Sequence, residues 1–514
     1  MQISEINLSD HQTLFETIEF NYPATKQDRL DIKRIIMDEE NPLYLRAMTL
    51  SALTLNLLRY FDEEKFESLY TYTLEDQHKT IRMRAWVAVV LVAMKHNVRL
   101  SFDEKLMDQL KFMIEECEAS ENKNYMLAIQ SALYKCTQAR MAAKQMKDTL
   151  GPQIEKGLQV IKEQKNLNEE DIAPEWDNYL EKSGIQEQIN DLIDLQREGV
   201  DIMFSTFVQM ARFPFFAKKC NWFMPFSEEH PLVRAIAKKG TTAELMVKIM
   251  SKSGNMCSGD KYGNVLMLSL VPGSQFDQIE TALKANDVKV ENIVEANEKD
   301  EMLAYMHDLY RYYHISNFAK DEYNPFNRSL YFGNYYGLSF VLNNIELKKK
   351  LAQFLYKNKI YKDAAFALKD LVEKEETEEF LQKYAYCLQN DNTTDRTELI
   401  EVLSKANKLY PGNKWTIKNL SRQLALADAP IKQCEEVLRD GCAAFPEDTD
   451  MINRLASCLI KQGIYDEALQ LLFKSDVIKE DVVATMNLIV ECATNLGRKD
   501  IVERYNQRID ELSK

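Results

Sequence analysis

The stretch Arg454-Leu-Ala-Ser-Cys-Leu-Ile-Lys-Gln-Gly-Ile-Tyr-Asp-Glu-Ala-Leu469 decides the fold of this 514-residue chain. It reads as two helices joined at Gly463, with Ala456 and Ala468 small enough to let the helices approach. Gly463 recurs as Gly497, 34 residues on, and Asn419, Asn453 and Asn487 repeat that interval twice. A helical pair of this length cannot bury its apolar face alone, so it stacks on copies of itself and builds an elongated solenoid with a groove.

Working outward, a second copy is Leu351-Ala-Gln-Phe-Leu-Tyr-Lys-Asn-Lys-Ile-Tyr-Lys-Asp-Ala-Ala365, with Tyr361 and Ala364 in the places of Tyr465 and Ala468. Pro411 and Pro446, 35 residues apart, stand where a second helix should end. Three positions depart from the pattern: Ala429-Pro430 and the 390–395 stretch replace the turn glycine, and Val502 takes the place of an alanine. Period, alanine placement and prolines agree independently, so residues 347–514 resemble the tetratricopeptide repeat (TPR) family in about five copies. The resemblance implies that the first helix of each repeat lines a groove receiving peptides or helices. Asn419, Asn453 and Asn487 then fall on or beside groove positions and are the candidate partner-binding residues, as amides able to pair with an extended backbone. The alternative is that asparagine is simply common in these helices. The basic residues that grip a carboxylate in some relatives are not identifiable.

Toward the N-terminus, Leu45-Arg-Ala-Met-Thr-Leu-Ser-Ala-Leu-Thr-Leu55 matches Met83-Arg-Ala-Trp-Val-Ala-Val-Val-Leu-Val-Ala93, each after an acidic turn. This resembles the HEAT repeat, which implies that Arg46 and Arg84 bridge neighbouring repeats; a generic helical bundle is the alternative for residues 1–142. Asn41-Pro42 predicts a cap followed by proline at the first helical position, and the 101–104 stretch Ser-Phe-Asp-Glu has capping-box spacing. Residues 143–235 form a helical connector, with a loop expected at 166–175 and an aromatic cluster at 204–226 that is read as buried core. Residues 236–344 are mostly helical and tyrosine-rich, with an irregular insert or short strand expected at 252–274, where Gly254, Gly259, Gly263 and Gly273 gather. The repeat array occupies 345–514.

Composition closes off other classes. With only 15 glycines and 12 prolines, the chain is poor in helix breakers, which favours an all-α fold, here an α-solenoid. Net charge is −15 with no long basic block, so nucleic acid is not an expected partner. Nine cysteines without CxxC predict reduced thiols and a cytoplasmic location. The N-terminus has no signal-peptide pattern, and the apolar run 85–94 is about half the ~20 residues a membrane span needs, so it is read as a core helix.

His307 and His314 share a helix face, but two turns separate them by about 10 Å, too far for one metal ion. No phosphate loop, nucleophile elbow or zincin motif occurs. The expected function is a non-catalytic scaffold or adaptor binding another protein through the C-terminal groove, with no cofactor, metal or membrane insertion. Two alternatives stand beside it. One is an enzyme with a motif-less site within 146–340, favoured by a polar pocket with convergent histidine or carboxylates; the other is a homomeric structural component.

Overall fold

Helices make up the regular structure among the described residues; β-structure there is confined to one isolated antiparallel bridge, Ser253 to Glu295. The computed structural model describes residues 2–119, 124–153, 155–156, 185–254, 256–271, 295–391 and 395–512. The 166–175 stretch and Gly273 therefore lie outside the described residues. The chain divides into two units, Met1–Asn344 and Ile345–Lys514.

In the first unit the longer helices are α1 His11–Glu19, α2 Lys26–Met37, α3 Leu43–Arg59, α4 Glu63–Leu74, α5 Lys79–Lys95, α6 Glu104–Ala119, α7 Tyr125–Gln145, α8 Ile185–Arg197, α9 Phe204–Met210, α10 Pro231–Ala237, α11 Thr241–Lys252, α12 Ser258–Leu270 and α13 Glu298–Ile315. The apolar run 85–94 is the middle of α5, and every residue in it is at most 1% exposed. A helix apolar on all sides needs neighbours on all sides, and α5 packs against α3, α4 and α13. At roughly 1.5–3 kcal/mol for each large apolar side chain buried, this helix anchors the unit.

Two local starts differ from their sequence reading by a residue or two. Pro42 is itself the N-cap of α3, so the helix begins one residue later than expected, at Leu43. At α6 the cap is Asp103, whose carboxylate accepts from Leu106 N–H at 3.0 Å, while the Ser101 hydroxyl turns back to Val98 O. A carboxylate beside the first free N–H groups outcompetes a hydroxyl two residues further out.

The two HEAT-like arginines behave differently. Arg46 on α3 donates to Ile36 O at 2.6 Å and pairs with Asp76 in the next acidic turn. Arg84 on α5 pairs with no carboxylate among the described residues: it donates to Ser51 Oγ (3.0 Å) and Phe223 O (2.6 Å) and lies over the Tyr305 ring.

In the aromatic cluster Phe204, Phe207, Phe216, Trp222 and Phe223 are buried, and Phe213, Phe215 and Phe226 are half-buried. Phe207, Phe216 and Trp222 meet at 5.2–5.7 Å between ring centroids, Phe223 stacks on Phe15, and the Trp222 indole donates to Phe216 O. Of the irregular insert expected at 252–274, Ser253, Gly254, Met256 and Cys257 are non-helical, with Ser253 in the isolated bridge, whereas 258–270 is helix α12, running through Gly259 and Gly263. Those glycines stand one turn apart on the face meeting α9. A Cβ on Gly259 would lie 3.0 Å from Phe207, and one on Gly263 2.4 Å from the Met210 sulfur. They serve close helix approach rather than backbone freedom.

The second unit is five helix pairs: α14 Ile345–Lys357 with α15 Tyr361–Lys374, α16 Glu378–Asn390 with α17 Arg396–Leu409, α18 Lys414–Leu426 with α19 Ile431–Ala444, α20 Thr449–Lys461 with α21 Tyr465–Ile478, and α22 Val483–Asn495 with α23 Lys499–Leu512. Every first helix has 13 residues and every second helix 14. First helices start 33, 36, 35 and 34 residues apart. Thr377, Asn413 and Asp448 cap three of them through their side chains. Ala352, Ala364, Ala385, Ala456 and Ala468 are at most 3% exposed, at the contacts where larger side chains would hold the helices apart. Pro411 and Pro446 follow the ends of α17 and α19.

Candidate functional site

The first helices of the array lie side by side, tied directly to one another. Arg454 on α20 donates to Lys418 O on α18 at 3.0 Å, and Asn453 on α20 donates through its side-chain amide to Thr485 Oγ1 on α22 at 2.8 Å. Asn419, Asn453 and Asn487 all lie on first helices, α18, α20 and α22. They do not share one role. The Asn419 amide donates to Trp415 O in its own helix at 2.8 Å, Asn453 is engaged with Thr485, and Asn487 is exposed.

A feature the sequence reading missed crosses the same face. Tyr356, Tyr386 and Trp415, from α14, α16 and α18, stand with ring centroids 5.6 and 6.4 Å apart, and all three are half-exposed. Lys383 places its ammonium 5.6 Å above the Tyr356 ring. The rings are 30 and 29 residues apart in sequence, shorter than the repeat, because each sits nearer the start of its helix than the one before. A search at the repeat period passes over them. The usable signal was aromatic residues on successive first helices, whatever their register.

The first unit holds a second candidate, a cavity of about 360 Å³ between α7, α8, the start of α12 and α13. Its polar lining includes Lys135, Glu198, Asp201, Asp260, Asp300 and His307. At its wall Arg311 spends all five guanidinium donors: Nε and Nη2 bind Asp201 (2.7 and 2.6 Å), Nη1 and Nη2 bind Asp260 (2.7 and 3.0 Å), and Nη1 also reaches Cys257 Sγ at 3.0 Å. Burial alone would push Asp201 up, but the Arg311 guanidinium outweighs it and holds the carboxyl below its usual range. Burial pushes the Lys135 ammonium down, with Glu198 opposing.

His307 is likewise pushed down by burial, and its Nε2 is sealed from solvent without a hydrogen-bond partner. His314 is used separately, stacking on Tyr310 and contacting its carbonyl at 2.8 Å. The cavity thus gathers a histidine and four carboxylates, two of which, Asp201 and Asp260, share the single positive charge of Arg311. That arrangement clamps α12 and α13 to the Asp201 segment more readily than it moves a proton.

Fold and surface together define an all-α helical-repeat protein. No family model matches the sequence, and no curated protein matches it. Among solved structures the chain is similar to "MamA RS-1 ArsTM double mutant", with 16% identity, 33% of this chain and 93% of that chain covered, and a TM-score of 0.29. It is similar to "MamA 41-end from Desulfovibrio magneticus RS-1" at 16% identity, with 33% and 94% covered and a TM-score of 0.29. It is also similar to "Crystal structure of MamA protein", at 17% identity, 32% and 90% covered and a TM-score of 0.29. At these TM-scores the repeat assignment rests on the helix pairs themselves. No helix among the described residues is long and apolar enough to cross a membrane.

Proposed function

We propose that residues 345–514 are a TPR array and that the protein is a scaffold or adaptor binding another protein along its first-helix face. The observation that supports this reading is the half-exposed row Tyr356, Tyr386 and Trp415 running across three first helices with Lys383 beside it. Large, rigid aromatic rings with cationic neighbours are the side chains that dominate protein–protein affinity. Asn487, the exposed asparagine, is placed to hold partner backbone; Asn419 bonds within its own helix and Asn453 ties α20 to α22. A cytoplasmic, reducing compartment fits the free thiols, and self-association remains an outcome of the same experiment if the partner is a second copy.

The catalytic alternative draws support from the cavity, where Glu198, Asp300 and His307 stand beside Asp201 and Asp260, the last two committed to Arg311. Affinity capture with the full chain and with a Tyr386→Ala, Trp415→Ala variant tests the proposal. The variant is expected to lose its partner by at least about tenfold, in line with hot-spot truncation, while keeping its melting temperature. A partner retained equally by both proteins would remove the aromatic row from the account.

A further inference from the structure

The cavity of about 360 Å³ in the first unit is at the small end of ligand-sized sites, and one of its polar groups is left without an acceptor. Lys135, half-buried on α7, has no hydrogen-bond or ion-pair partner among the described residues. Its ammonium lies over the backbone of Gly199, which follows α8 with φ of +92°. A Cβ at that glycine would stand 3.1 Å from Lys135 Nζ and 2.7 Å from Leu303 Cδ2, so glycine keeps open the space beside the amine.

The fully buried lysines among the described residues are each met by oxygen. Lys65 donates to Asn21 O, Asn21 Oδ1 and Asn56 Oδ1 at 2.7–3.0 Å, Lys219 to Glu19 at 2.7 Å and Lys348 to Asp370 at 2.6 Å. An amine drawn out of water with no acceptor loses the advantage of its charge, and burial accordingly pushes Lys135 below the usual lysine range. The rest of the lining does not select an ion. Its four carboxylates are matched by Arg311 and by three lining cations, Lys135, Arg197 and Lys299. Leu127, Ala128, Met203, Met256, Leu303 and Ala304 add an apolar wall. An unpaired amine beside that wall suits a small uncharged electrophile.

We propose that this cavity is a carbonyl-binding site in which Lys135 holds a small apolar aldehyde as an imine. The amine lone pair attacks the carbonyl carbon, a C–N bond forms, and the carbonyl oxygen takes up a proton that the nitrogen gives up. The carbinolamine then expels its hydroxyl, which leaves as water with the remaining nitrogen proton, and the C=N bond forms. No oxidant or reductant is consumed, and water reverses the step. The site lies within the first unit, so it stands or falls separately from partner binding by the array.

The test incubates the full chain at pH 7 with benzaldehyde and sodium cyanoborohydride, which adds hydride to the imine carbon and fixes the link as a secondary amine. Benzylated lysines are then mapped by mass spectrometry. Lys135 is expected to be labelled about tenfold faster than exposed lysines, through its larger uncharged fraction. Lys65 is the control for protonation alone: burial brings it down to about 8, but its ammonium is fully engaged and it does not line the cavity. It is expected to stay unlabelled. Ala128→Leu, which fills the cavity, should abolish the excess at Lys135 and leave other lysines unchanged. If that variant does not fold, the comparison of Lys135 with Lys65 in the unaltered chain decides. Lys65 labelled ahead of Lys135, Lys135 labelled no faster than exposed lysines, or an excess that survives in a folded Ala128→Leu protein would overturn the proposal.

Discussion

At the scale of single residues, the turns within repeats show how one backbone shape is met by different side chains. Lys359, Asp428, Gly463 and Gly497 all have positive φ, between 50° and 77°. The residue after each donates to a carbonyl five positions back: Ile360 to Leu355, Ala429 to Leu424, Ile464 to Leu459 and Arg498 to Ala493, at 2.8–3.1 Å. This is a Schellman closure of the first helix, and glycine adopts it without strain. The sequence places a gap in the third repeat at Ala429-Pro430, whereas the structure fills that place with Asp428, a residue that tolerates the left-handed region. Lysine tolerates it less well. Lys359→Gly is therefore expected to stabilise the full chain by about 1 kcal/mol, and Gly463→Ala to destabilise it by about 1–2 kcal/mol, both read by urea unfolding. Glycine and alanine positions were legible because they recur at the period; Lys359 and the ring row were not, since neither carries a repeating residue type.

At the scale of elements, most helices announce themselves, and α12 shows where that reading fails. Clustered glycines suggest conformational freedom, and only the one-turn spacing of Gly259 and Gly263 hints at a helix face. The two readings predict opposite signs. If the glycines were permissive, alanine would strengthen the helix by up to about 1 kcal/mol through propensity. Because Phe207 is wedged between Phe216 and Trp222 and cannot retreat, Gly259→Ala is expected to cost about 1–3 kcal/mol by overpacking. Denaturant titration of the full chain decides the sign. The buried α5 was legible from its apolar run. The five-donor clamp of Arg311 was not, because its partners Asp201 and Asp260 lie 110 and 51 residues away in sequence.

At the scale of the whole molecule, all six histidines fall in the first unit, and residues 345–514 contain none. Burial pushes every one of them below the ordinary histidine value, His230 to about 4. A histidine depressed in the folded state takes up its proton in the unfolded state first. Its stabilising effect is complete above the unfolded value near 6.5 and is lost as pH falls toward the folded value. Asp308, pushed up by burial to about 6, acts with the opposite sign between that value and 3.8, but it is one group against six. His230 alone, discounted for its partial exposure, contributes on the order of 1–2 kcal/mol. In the second unit Asp448 is held near 2, below this window, burial being outweighed by Lys414 and Lys418. Hydrogen exchange at pH 7 and pH 5, corrected for intrinsic rates, is expected to show protection falling in residues 1–344 and holding in 345–514. Equal loss in both units would contradict this assignment.

The division into units also frames the functional claim, which belongs to the array alone. Its first helices carry Lys349, Lys383 and Lys418, and its second helices carry Lys369, Lys432 and Lys474. Amine cross-linking of the full chain in native extract, followed by mass spectrometry of the linked peptides, reads directly which set faces a partner. Partner links are expected to concentrate at Lys349, Lys383 and Lys418; links confined to Lys369, Lys432 and Lys474, or to residues 1–344, would contradict a partner seated on the first-helix face.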